Sequence, residues 1–106
     1  MNRFLKFLVG ILACQFSIST CHSDAKTLYD TTCSACHGFG IAGAPIPGKK
    51  SDWETRLKNP LESLYQNAIE GFTGDFGSMP PKGGFFDLTD EQIREIVNYM
   101  IAVSDE

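Results

Sequence analysis

The sequence predicts an all-α domain of short helices joined by loops. Three observations predict it. Apolar residues recur at helical spacing, most cleanly at Ile93, Ile96, Val97, Met100 and Ile101. Glycine- and proline-rich stretches punctuate the chain at Phe39 to Gly48 and at Gly71 to Phe86. One segment, Cys33-Ser34-Ala35-Cys36-His37, places two thiols and an imidazole within a single helical turn. The chain has no strand-period run, internal repeat or low-complexity tract, and its 106 residues allow one small domain.

The first element, residues 1–25, reads as a secretory leader. Arg3 and Lys6 give a basic start and Phe7 to Ala13 an apolar centre; a polar, small-residue exit with Gln15, Ser17, Ser19 and Thr20 follows. The apolar run is too short to span a bilayer. A cut after Ala25 would put Ser23 and Ala25 at the small positions. Cys14 after Ile11-Leu12-Ala13, and Cys21 after Ile18-Ser19-Thr20, each resemble an imperfect lipoprotein acylation site. The expectation is an exported domain over residues 26–106 that meets a membrane only if lipid-anchored. His22 belongs to the processing zone and is not expected to be a ligand.

A helix is expected from Asp24 to Cys36, with Leu28, Tyr29 and Thr32 on one side and Gly38 as its stop. It delivers the Cys-x-x-Cys-His segment, the signature for covalent attachment of a c-type haem. On one helical side the two thiols can meet the haem vinyl groups while the imidazole faces the iron. Ser34 and Ala35 are small enough for a porphyrin edge to approach the backbone. Two other readings lack their context: a thioredoxin-like pair needs a βαβ setting, and a tetrahedral zinc site needs a second ligand pair. No cysteine follows Cys36, and His37 is the sole histidine beyond the leader.

Bulk properties agree with a haem protein. A domain of about eighty residues has difficulty building a sufficient core alone, and a large apolar cofactor would supply buried surface. The whole chain carries a net charge of -4, and loss of Arg3, Lys6 and Asp24 makes the remainder more acidic. That excludes a basic nucleic-acid surface. It suits electrostatic steering of a basic or mixed-charge redox partner, and equally plain solubility.

The loop from Phe39 to Gly48 is expected to be irregular. A carbonyl near Pro45 is placed to accept a hydrogen bond from the second nitrogen of His37, which would orient the imidazole and raise its basicity; a plain turn proline is the alternative. Ser51-Asp52-Trp53-Glu54 reads as a capping box opening a helix to about Lys58. Trp53 and Arg56 share a face there and offer an indole N–H and a guanidinium to a haem propionate. A core tryptophan beside a solvated arginine fits them too. Asn59 is expected to cap the next helix, with Pro60 at its first position, a buried stripe of Leu64, Tyr65, Ala68, Ile69 and Phe72, and Gly71 as its end.

Gly71 to Phe86 is expected to be a loop without regular structure, of a length that is usually functional. It contains Met79-Pro80-Pro81, and each proline pushes the preceding residue toward an extended backbone. Met79 therefore sits on a stiff strap with its thioether available to project. Thr89 and Gln92 form a second capping box for a terminal helix to about Val103. Met100 lies on that helix's apolar stripe, which accounts for it without an iron.

With the haem motif, the Met-Pro strap and a terminal helix in this order, the chain resembles the class I cytochromes c, most of all the small bacterial c-five type. The resemblance rests on Leu28 to Gly38, Gly43-Ala44-Pro45, Trp53, Gly71-Phe72, Met79 to Gly84 and Asn98-Tyr99-Met100. It spans nearly the whole chain beyond the leader. It implies a class I fold around one covalent haem c, with Cys33 and Cys36 as thioether anchors, His37 as proximal iron ligand and Met79 as the sixth. It also implies a periplasmic single-electron carrier rather than an enzyme, working between donor and acceptor cytochromes, reductases or oxidases. The rival is a haem enzyme or gas-sensing domain with an open sixth position. Two departures stand out. Ala25 occupies a place usually held by glycine, so the crossing of first and last helices should be looser or the helix should begin later. The extra cysteine pair frequent in the c-five group is missing.

Overall fold

The computed structural model describes residues 22–105. Most of the expected leader, with Cys14 and Cys21, lies outside the described residues. The chain opens with helix α1 (His22–Leu28), runs through a π-helical turn (Tyr29–Cys33) and continues directly into α2 (Ser34–His37). The single helix expected here is thus one continuous run with a widened turn in its middle. Hydroxyls explain the widening. Thr31 Oγ1 donates to the Thr27 carbonyl at 2.9 Å and Ser34 Oγ to the Asp30 carbonyl at 2.7 Å. Such back-bonding competes for helical carbonyls and bends the axis. The wide turn ends at Cys33, so it sets the phase in which the haem motif emerges.

Gly38 does not stop the helix by reversing handedness, since its φ is −74°. The reversal comes at Gly40 (φ 71°) and at Ala42 (φ 54°), within a 3₁₀ turn over Ile41–Gly43. Helix α3 (Lys50–Trp53) begins ahead of the expected capping box; Lys49 is the N-cap and makes no side-chain cap bond. The Asp52 carboxylate instead accepts from the Ile46 N–H at 3.1 Å, pinning the loop to the helix. The expected run to Lys58 is completed by a separate 3₁₀ turn, Arg56–Lys58. Helix α4 (Leu61–Glu70) starts after Pro60, which holds the N-cap position itself with ψ 138°, and Asn59 supplies no cap. Gly71 (φ 87°) ends it as expected.

The segment expected to be irregular contains a small antiparallel hairpin. Strands β1 (Phe72–Gly74) and β2 (Gly77–Met79) pair with Phe72 opposite Met79. Three residues per strand are too few to leave a period in the sequence. A 3₁₀ turn over Pro81–Gly84 follows, with Lys82 and Gly83 both left-handed.

Helix α5 (Asp90–Ser104) closes the fold. Its capping box is complete: Gln92 N–H donates to Thr89 Oγ1 at 3.1 Å, and Thr89 N–H to Gln92 Oε1 at 2.9 Å. Thr89→Ala is expected to lower unfolding stability by about 1 kcal/mol with no change in the visible spectrum, read from a denaturant titration. The core gathers Tyr29, Trp53, Ala68, Ile93, Ile96, Val97 and Met100 from α1 through α5. Helices α1 and α5 pack directly, and the Tyr29 and Tyr99 rings meet at 5.5 Å with planes 51° apart. Ala25 is 3% exposed, so its methyl group is accommodated, and the helix begins ahead of it rather than later. At the far end Ser104 Oγ accepts from Gly48 N–H at 3.0 Å and donates to the Met100 carbonyl at 2.6 Å, tying the first loop to α5.

Candidate haem site

His37 is buried, and its Nδ1 lies 2.9 Å from the Pro45 carbonyl. A carbonyl can only accept, so Nδ1 carries the proton. Burial holds the imidazolium below the ordinary histidine range; the Pro45 bond opposes this, and the positive charge of Arg56 adds to it. The ring is therefore neutral at neutral pH, with its lone pair on Nε2. Among the described residues no sealed-in side-chain nitrogen or oxygen lacks a partner, so Nε2, on the ring edge away from the Pro45 bond, is not shut in unpartnered. This is the tautomer and orientation a metal-ligating histidine needs, with the carbonyl behind it fixing the ring.

The two thiols stand on the turn leading to that ring. Cys33 is half-buried and packs against the core cluster, and Cys36 is exposed. Burial pushes the Cys33 thiol up, with the hydrogen bond to Thr32 opposing. A thiol kept protonated is a poor redox nucleophile, which speaks against a thioredoxin-like pair. Among the described residues no cluster of three or more His, Cys, Asp or Glu could complete a zinc site.

Met79 ends β2 and is half-buried, packing against the same core cluster as Cys33. Its backbone is gripped from two sides. Strand pairing to Phe72 holds one; on the other, a Cβ at Gly71 would come within 3.0 Å of the Met79 carbonyl and of the Pro81 ring. Its methyl lies near Gly83, where an added Cβ would meet Met79 Cε at an ordinary 3.9 Å.

The structure gives the other two expected residues different work. Trp53 is 4% exposed, and its single N–H donates to the Ile46 carbonyl at 2.9 Å. The expectation that this N–H serves a propionate is corrected: it satisfies the loop carbonyl, and the ring fills the core. Arg56 donates Nη1 to the Asp52 carbonyl and Nη2 to the Gly43 carbonyl at 3.4 Å, with its guanidinium 5.5 Å from the Phe76 ring centre. A guanidinium has five N–H groups, so these contacts leave donors over. Sequence reasoning missed Phe76 and the close approach of Gly43 to Gly77, because the contact joins segments more than thirty residues apart.

These donors suit a c-type haem: two thiols for vinyl carbons, a neutral imidazole with a free lone pair, and a soft thioether. The polypeptide alone also exposes large apolar side chains, among them Phe39 (78% exposed), Phe76 (74%) and Phe86 (70%).

Comparison with known proteins agrees with this geometry. Residues 21–100 match the family model described as cytochrome C oxidase, cbb3-type, subunit III. The chain is 41% identical over 83 residues to cytochrome c-555 of Prosthecochloris aestuarii, covering 74% of this chain and 84% of that one. It is 37% identical over 70 residues to cytochrome c5 of Ectopseudomonas mendocina, covering 64% and 76%. Among solved structures, an electron transfer complex of nitrite reductase with cytochrome c contains a chain that superposes with a TM-score of 0.66 at 30% identity, covering 76% of this chain and 93% of that chain. A mostly helical fold carrying a Cys-x-x-Cys-His turn, with relatives of this kind, is that of a c-type haem protein. The chain belongs to the small class I monohaem c-type cytochromes, which carry one covalent haem c and transfer electrons.

Proposed function

We propose that this chain is an exported single-electron carrier, not an enzyme, with Cys33 and Cys36 as thioether anchors and His37 and Met79 as axial ligands. The observation that carries the reading is the His37–Pro45 hydrogen bond, which occupies Nδ1 and leaves the lone pair on Nε2. Bound haem supplies a one-electron couple, and His/Met ligation raises its potential relative to harder ligand sets. The protein's part would be to hold the His37 and Met79 donors in place, so that an electron could be gained or lost with little rearrangement of the chain. No residue is asked to activate a substrate.

The solved relative's partner, a nitrite reductase, supports redox proteins as partners here. Acidity beyond the leader supports steering toward a basic or mixed-charge docking face at low salt. Contacts at the small end of interface sizes suit a carrier that must release quickly. The leader-like residues 1–25 support export to the periplasm. Among the described residues no helix is long and apolar enough to cross a membrane.

A haem stain surviving denaturing electrophoresis, with a low-spin spectrum of the purified protein, is the expected result. Carbon monoxide binding to the reduced protein without denaturant would sink the carrier reading in favour of an open sixth position. Arg56→Ala is expected to lower the reduction potential by some tens of millivolts, about 1 kcal/mol for one electron, because a positive charge near the site disfavours the ferric state. An unchanged potential returns Arg56 to a purely structural role.

A further inference from the structure

The loop that holds His37 and the hairpin that ends in Met79 touch through two glycines. A Cβ at Gly43 would lie 1.8 Å from the Phe76 carbonyl oxygen, and a Cβ at Gly77 would lie 1.8 Å from the Ala42 carbonyl oxygen. The relation is reciprocal: each carbonyl sits where the other segment's side chain would begin. Both glycines have positive φ, 78° and 150°. No backbone N–H bonds across this contact among the described residues, so the approach is of the Cα–H···O kind. Only glycine fits at either position.

Arg56 clamps the same junction from outside. Its guanidinium donates to the Gly43 carbonyl on the loop side and lies over Phe76 on the hairpin side. Two residues beyond Gly43, the Pro45 carbonyl orients His37; two residues beyond Gly77 stands Met79. We infer that the Gly43–Gly77 backbone contact, clamped by Arg56 over Phe76, is the positioning element that sets where Met79 presents its thioether relative to His37. The inference rests on the reading of Met79 as an axial ligand. Neither glycine meets the cofactor in this role; both act through Met79. A side chain at either glycine must drive the two segments apart by more than an ångström, because the atoms it meets are backbone.

The test uses the ferric holoprotein and two readouts: the affinity for added imidazole and the weak sulfur-to-iron charge-transfer band at the red end of the visible spectrum. Gly77→Ala is expected to bind imidazole about tenfold more tightly and to weaken the band, as the thioether competes less well. Gly48→Ala is the control. Gly48 also has positive φ (90°), but its Cβ would meet only Val103 Cγ1 at 3.8 Å. It carries similar backbone strain without the collision and is expected to bind imidazole as the wild type does. Should Gly77→Ala fail to fold, Phe76→Leu decides: it removes the ring beneath the guanidinium, keeps the charge and introduces no backbone clash. It is expected to tighten imidazole binding about threefold.

Wild-type affinity in both Gly77→Ala and Phe76→Leu overturns the inference, as does an equal effect in Gly48→Ala. Failure of the underlying reading looks different. In that case the wild type lacks the band, or Met79→Ala leaves band and imidazole affinity untouched.

Discussion

A chain carrying Cys33→Ala and Cys36→Ala is expected to retain no covalent haem and to be largely unfolded. The physical reason is the thinness of the polypeptide core. Among the described residues Ile96 is the one large side chain that is fully shut off from solvent, and several phenylalanines stand exposed on the polypeptide alone. A domain of this size needs help to offset the conformational entropy of ordering its loops, and a covalent apolar cofactor gives it. Far-ultraviolet circular dichroism should lose most of its helical signal, and the denaturing gel should show no haem stain. A helical, cooperatively melting double variant without haem would show that the polypeptide is sufficient and that this account of its stability is wrong.

Met79→Ala should open the sixth position to water or added ligands and lower the reduction potential. The drop is expected to be on the order of 0.1–0.2 V, within the roughly 0.8 V over which axial ligands set haem potentials. The sulfur-to-iron band should vanish. Folding should suffer less than the about 2–5 kcal/mol typical of a fully buried methionine, because Met79 is half-buried and the thioether links remain. Proteins with the cysteines intact should therefore still stain for haem. If oxidised wild type has no such band, or the variant keeps it, the ligand is another group. Met100 does not compete structurally, since it lies buried in the core and on the inner face of α5.

Much of the candidate site was legible before any tertiary structure. Cys33, Cys36 and His37 are adjacent in sequence, so their common side follows from one helical turn, and even the Pro45 carbonyl lies only eight residues from His37. The terminal helix was equally legible, because Thr89, Gln92 and the stripe from Ile93 to Ile101 carry local and periodic signals together. Local signals misled where a tertiary partner competed for the same group. Ser51 looked like a cap, yet Asp52 turned to the Ile46 N–H and the helix began at Lys50. Trp53 looked like a propionate donor, yet its only N–H goes to a loop carbonyl.

The sequence by itself determined the class of chemistry: a Cys-x-x-Cys pair of the kind that holds a covalent haem, an imidazole beside it, and a mostly helical frame with a methionine on a proline strap. These depend on residue identity at short spacing, which the chain carries whatever its tertiary arrangement. Tertiary structure alone decided which nitrogen of His37 is free, how Met79 is held, and that the two arms meet at Gly43 and Gly77 with Arg56 across them. The reason is distance along the chain. Whether a glycine is free, or faces another backbone at contact distance, depends on a segment more than thirty residues away, and no local pattern records that approach.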